Sequence, residues 1–137
     1  MNVTVREPNQ PRTVYEMVGG MEFFEDLTRR FYLRIEEDEV LRPMHPKDLA
    51  VSQRKNALFL AQYWGGPATY SEQRGHPRLR ARHMPFPIDK EARDRWFRLM
   101  KESVEESEIP EAARTAMVDY FEKASLTMIN QGDTATS

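Results

Sequence analysis

Residues 63–83 read Tyr-Trp-Gly-Gly-Pro-Ala-Thr-Tyr-Ser-Glu-Gln-Arg-Gly-His-Pro-Arg-Leu-Arg-Ala-Arg-His, and this stretch decides the fold. Gly65-Gly66-Pro67 stops any helix that arrives from the N-terminal side, with Gly66 as a left-handed cap. Residues 68–88 are then loop-rich, punctuated by Gly75, Pro77, Pro85 and Pro87. Pro77 opens a short helix that ends near His83. Pro85 and Pro87 fix the backbone just beyond, so the His83 ring points in a defined direction. Leu79 shares the face of His83 and the flanking Arg residues do not. Residues 71–84 hold four Arg against one Glu, a local charge of +3 in a chain of net charge −2. Such a cluster marks a place for an anion. The plainer alternative is a solvated loop whose Arg residues pair with the acidic run around Glu102–Glu111.

Outward from that stretch the periodicity is helical, and no segment alternates as a strand. A short apolar turn (Val14, Tyr15, Val18) precedes Gly19-Gly20. A helix is expected over about 21–37, because Phe24, Leu27, Phe31 and Ile35 recur on one face, with Tyr32 on the same stripe. Pro43 and Pro46 forbid regular helix and leave His45 on a loop. The next helix spans about 47–64, with Leu49, Phe59, Leu60 and Tyr63 on its apolar face. Ser52 and Asn56 lie on that face or at its edge. An unpaired buried amide costs about 1–3 kcal/mol, so Asn56 needs a partner. Asp89 is an N-cap for a helix to about 106 that buries Ala92, Trp96, Leu99, Met100 and Ser103. Ile109-Pro110 breaks it. A last helix, about 111–130, buries Ala113, Met117, Tyr120, Phe121, Ala124 and Met128. The expectation is all-α: four substantial helices and short ones at 14–18 and 77–83. Residues 1–12 read as a flexible arm, 13–130 as the domain and 131–137 as a flexible tail.

Composition excludes several function classes. The 137 residues are 39% hydrophobic and 31% charged, and they contain no Cys. There are thus no disulfides, no thiol nucleophile and no Cys-ligated metal. The near-neutral balance offers no chain-wide field for nucleic acid. No apolar run approaches the length of a membrane span, and no signal peptide is visible. The cytoplasm is the default compartment. Gly-x-Ser-x-Gly, a phosphate-binding Gly loop and His-Glu-x-x-His are absent. His45, His76 and His83 lack the spacing of a three-His zinc site. His76 precedes Pro77 and reads as a capping or packing residue. Glu36-Glu37-Asp38-Glu39 reads as a solvated helix end.

Tyr32, Asn56 and Trp96 are hydrogen-bonding residues on three different apolar stripes, with His45 on the loop between two of them. They form either a buried network that serves packing or a pocket for a small polar ligand.

Taken together, residues 63–83, Trp96 and Gly19-Gly20 resemble the group II truncated haemoglobins over about residues 14–130. The resemblance implies a two-over-two helical sandwich around haem b. It implies that His83 is the proximal iron ligand and that Tyr32, His45, Asn56 and Trp96 line the distal side. Distal donors, Tyr32 and Trp96 first, stabilise partial negative charge on a bound diatomic ligand. By family position Lys55, Tyr70 and Arg82 meet the haem propionates, whereas Arg78 and Arg80 are solvated. Phe59, Leu79, Phe86, Ile88 and Met100 pack on the porphyrin. His45 departs from the usual Tyr or Phe, and Asn56 from the usual Leu or Gln. Ser52, at the gate of the distal side, is small and leaves access open.

The implied function is a haem protein that binds oxygen, carbon monoxide, nitric oxide or peroxide at a five-coordinate iron. Nitric oxide dioxygenation and peroxidase-like turnover are candidate reactions, with an electron-donating reductase as partner. A monomer or homodimer is expected, with no nucleic acid and no membrane span. The rival is a small helical binding or sensor module that uses the Arg-rich loop on an anionic partner.

Overall fold

The computed structural model describes residues 12–132. The arm expected over 1–12 and the tail expected over 131–137 lie almost wholly outside them. Among the described residues there are helices and no strands. The elements are α1 (Val14–Met17), α2 (Met21–Glu36), α3 (Leu49–Tyr63), α4 (Thr69–Arg74), α5 (Leu79–His83), α6 (Lys90–Glu105) and α7 (Glu111–Thr127), with a 3-10 turn at Arg42–Met44 between α2 and α3. No described helix is long and apolar enough to cross a membrane.

Two helix pairs make the sandwich: α2 packs on α3 and α6 packs on α7, while α2 also crosses α6. The core lies where they meet. Phe24, Leu27, Phe31 and Ile35 of α2 are fully buried, as their spacing predicts, together with Met100, Val104 and Met117 from the second pair. Thr28 joins this buried face because its hydroxyl donates to Phe24 O at 2.8 Å, which spares it a cost for burial.

Local chemistry sets the boundaries. Thr13 and Glu16 form a reciprocal capping box at α1. Asp48 caps α3 through Ala50 N, and Asp89 caps α6 through Ala92 N at 2.8 Å. At the end of α3 the left-handed residue is Gly65, with φ of +106°, and not Gly66. Gly66 is needed for a different reason: a Cβ there would lie 2.6 Å from the Tyr15 ring and 2.8 Å from Ala61 O. Close approach of α1, not backbone handedness, fixes that glycine.

The helices and loops depart from the sequence reading elsewhere too. Residues 69–74 form α4, which docks on α3 through Gln62: its amide donates to Ser71 Oγ at 2.7 Å, and Ser71 N donates to Gln62 Oε1 at 3.0 Å. Tyr63, expected in the core, is 51% exposed and lies against Tyr120 with ring centroids 4.2 Å apart. Asp38 is not part of a solvated helix end. It is buried, accepts from Val40 N and Leu41 N, and pairs with Arg95. The last helix stops at Thr127, and Asn130 beyond it folds back onto residues 83–88.

Candidate functional site

Between the two helix pairs lies a cavity of about 450 Å³, within the range of roughly 300–1,000 Å³ typical of small-molecule and cofactor sites. Residues from α2, α3, α4, α5, α6, α7 and the connecting loops line it. Tyr32, His45, Asn56 and Trp96 meet there, so the three polar residues from separate stripes do converge. His83, Leu79, Phe86 and Ile88 form the facing wall. Ser52, Lys55, Phe59, Tyr70 and Arg82 complete the set expected from the sequence. Met100 does not join it: the side chain is fully buried in the helix core and is not a cavity wall.

His83 ends α5 with its ring Nδ1 2.6 Å from Leu79 O, one helical turn back. A carbonyl accepts only, so Nδ1 carries the proton of the neutral ring and Nε2 keeps its lone pair. Metal-ligating His residues are held in this way by a backbone carbonyl. Asn130 braces the segment that follows: its amide donates to His83 O at 3.2 Å and Phe86 O at 2.9 Å, and its Oδ1 accepts from Ile88 N at 2.9 Å. Asn130 stands at the last position of the expected domain. Nothing local marks it, since its partners lie 42–47 residues away.

The opposite wall is built from α2, its following turn, α3 and α6. Burial pushes the Tyr32 hydroxyl up to about 12, and a hydrogen bond with Asn56 opposes that in part. Tyr32 meets His45 edge to face at 5.9 Å, and Phe31 meets Trp96 in the same manner at 5.4 Å. His45 Nδ1 lies 2.8 Å from Leu41 O. Burial, set against that bond, lowers the His45 pKa, with the charges of Arg42 and His83 acting in the same sense as burial. Arg42 ties the loop together through Pro46 O, Lys47 O and Glu36.

The Arg-rich segment does not pair with the acidic run at 102–111. The partners there are Arg30, Arg34, Arg98 and Arg114. Arg80 is exposed, as expected, and its guanidinium also donates to Thr127 O at 3.1 Å. His76 is exposed and accepts from Arg78 N at 3.1 Å, two residues on, while the first turn of α5 has no side-chain cap. No described carboxylate lines the cavity, whereas Lys55, Arg82 and Arg93 do. The site therefore suits a ligand with an apolar body and anionic groups, held by one imidazole nitrogen.

Comparison with known proteins agrees. The family model for bacterial-like globin matches residues 13–130. The group 2 truncated hemoglobin YjbI of Bacillus subtilis is 39% identical over 117 residues, 85% of this chain and 88% of that protein. The chain belongs to the group II truncated haemoglobins. The hemoglobin of Chloroflexus aurantiacus superposes with a TM-score of 0.87 at 46% identity, over 88% of this chain and all of that one. The group II truncated hemoglobin of Bacillus anthracis superposes at 0.88 with 33% identity, over 94% of this chain and all of that one. Membership in this globin family implies haem-based ligand binding, and the donor set fits. A fixed His83 lone pair, apolar walls and rim cations without a carboxylate among them are what a haem requires.

Proposed function

We propose that this truncated haemoglobin holds haem b through His83 Nε2 and binds dioxygen and other diatomic ligands at a five-coordinate iron. The observation that carries the reading is the 2.6 Å contact from His83 Nδ1 to Leu79 O, which leaves Nε2 as the free lone pair of a residue that lines the cavity. When bound, haem supplies affinity for diatomic ligands and redox chemistry. The chain supplies placement and polarity. Phe59, Leu79, Phe86 and Ile88 offer apolar surface to the porphyrin, and Lys55, Tyr70 and Arg82 offer positive charge and a hydroxyl to the propionates.

Tyr32 keeps its proton at every physiological pH, because burial holds its pKa near 12. It is therefore a constant donor on the distal side. Asn56 and Trp96, which line the same cavity, add an amide from α3 and an indole N–H from α6. Ser52 at the cavity wall is small and leaves passage for ligands. Such a polar wall favours ligands that gain negative charge on binding. It suits nitric oxide dioxygenation, which needs an electron-donating reductase to return the iron to the ferrous state, and peroxidase-like turnover, which needs an oxidisable substrate, as well as reversible oxygen binding.

Visible spectroscopy tests the reading. Protein expressed with ample haem should show a Soret band that shifts on addition of carbon monoxide. A folded, colourless protein that takes up no added haem overturns it.

A further inference from the structure

Two histidines face the cavity, and both are held in one way. His83 Nδ1 sits 2.6 Å from Leu79 O and His45 Nδ1 sits 2.8 Å from Leu41 O. Each carbonyl belongs to the residue four positions earlier. Each neutral ring therefore carries its proton on Nδ1 and keeps an unprotonated Nε2 at the opposite edge. The haem reading accounts for His83 Nε2. It leaves His45 Nε2 unassigned, and none of the hydrogen bonds among the described residues ends on that atom.

This tautomer narrows what His45 can do. A neutral ring with Nδ1 occupied has no hydrogen to give to dioxygen or carbon monoxide. Toward the cavity it only accepts. We propose that His45 is the proton acceptor for protic ligands, weak acids H–X such as hydrogen peroxide and hydrogen cyanide, that enter the cavity in neutral form. The proposal rests on the haem reading above. It divides the distal wall into two functions: Tyr32 and Trp96 donate to aprotic ligands, and His45 receives the proton of protic ones.

The step balances without an oxidant. The H–X bond breaks and its electron pair stays on X. The proton goes to His45 Nε2, and X⁻ is the form that a bound ferric haem would take up. As the imidazolium forms, the Nδ1–H bond to Leu41 O becomes charge-assisted and stronger. The surroundings favour return of that proton. Arg42, on the same loop, opposes charge on the imidazolium although it is tied to Glu36, and Tyr32 of α2 is a neutral hydroxyl; Lys55 of α3 and Arg82 of α5 are the cations assigned to the propionates, and Arg93 of α6 pairs with Asp94. No described carboxylate lines the cavity to trap the imidazolium. His45 is thus a base that accepts a proton and then releases it.

The test uses the full chain loaded with haem and two probes. Hydrogen cyanide is mixed with the ferric protein, and carbon monoxide with the ferrous protein, in the parent, His45→Phe and His45→Gln. Phe keeps an aromatic edge against Tyr32; Gln keeps a polar side chain with no basic nitrogen. In both variants the association rate of hydrogen cyanide should fall about 100-fold, the scale of positioned acid–base assistance, while that of carbon monoxide stays within about threefold. A parallel fall for both probes would mean that His45 governs access, and overturns the proposal. So does an unchanged cyanide rate. So does a low-spin ferric spectrum in the parent that both variants lose, which would make His45 an iron ligand. A parent that binds no carbon monoxide when loaded and reduced fails at the haem reading itself, which separates that failure from the others.

Discussion

The two walls of the cavity carry the same His tautomer but are built by opposite means. His45 rides on a loop braced from several sides. Asp38 accepts from Val40 N and Leu41 N and pairs with Arg95 of α6, and Arg42 holds Pro46 O and Lys47 O. Behind that loop stands a core of fully buried side chains. His83 ends a helix of five residues that starts from Arg78 at φ of +47°, a left-handed conformation that costs a non-glycine residue about 1–2 kcal/mol. Its neighbours Met84 and Phe86 are 52% and 41% exposed. The long-range ties on this side run to the end of α7, chiefly through Asn130. The distal wall is therefore set by the polypeptide. The proximal wall is held at a few points and gains most from a bound haem, which stabilises the native state by mass action.

The sharpest way to break this contrast is His83→Ala. It removes the nitrogen proposed to hold the iron and leaves the opposite wall intact. The expected result is loss of haem on gel filtration or a changed coordination spectrum, with α2, α3, α6 and α7 unaffected by circular dichroism. An unchanged Soret band and full haem retention would show that the proximal assignment is wrong.

Tyr32→Phe probes the preformed wall. A hydrogen bond to a ligand carrying partial charge contributes about 1.5–3 kcal/mol, so the oxygen dissociation rate should rise about 10- to 100-fold. A change below about twofold would remove Tyr32 from its role, the residual interaction then falling to Trp96. The same variant has a signature in alkali. The folded pKa of Tyr32 is near 12 against an ordinary 10.0, so the unfolded chain gives up the phenolic proton first. Stability then falls as pH rises from about 10 to about 12, by about 2–3 kcal/mol for this group. Denaturant titrations across that window should show a shallower decline in Tyr32→Phe than in the parent.

The contrast also explains what was legible in the sequence. The α2 stripe, the Asp89 cap and the convergence of Tyr32, Asn56 and Trp96 follow from periodicity and local capping, which the sequence displays directly. α4 was not legible, because six residues give too little periodicity and its docking depends on Gln62. Asp38 sits in an acidic run and is told from its neighbours only by the backbone that turns around it. Tyr63 shares the apolar face of α3 by spacing, yet the cavity takes Phe59 and Leaves Tyr63 to pack on Tyr120. Met100 satisfies helix periodicity equally as core or as cavity wall, and only the packed structure separates the two. Asn130 shows nothing until the chain closes.

Asn130→Ala tests the claim that few ties hold the proximal wall. It deletes three hydrogen bonds to residues 83–88. At about 1 kcal/mol each, discounted for partial exposure, the loss is about 1–3 kcal/mol. Haem transfer to an acceptor globin should be faster in this variant, while the dissociation rate of oxygen stays near the parent value. Equal haem loss in variant and parent would mean that the segment is held elsewhere.

Arg82→Ala is expected to have the smallest effect. Arg82 lines the cavity, yet its side chain is exposed and donates only to Arg74 O, at 3.5 Å. An exposed ion pair with a propionate contributes about 0–1 kcal/mol and is screened by salt. Haem loss should therefore rise less than about fivefold at low ionic strength, and the difference should vanish at high salt. Asn130→Ala should keep its effect at high salt, because its bonds are neutral and partly shielded. A salt-insensitive effect in Arg82→Ala would place the guanidinium in a structural role and make the proximal wall more preformed than its exposed helix suggests.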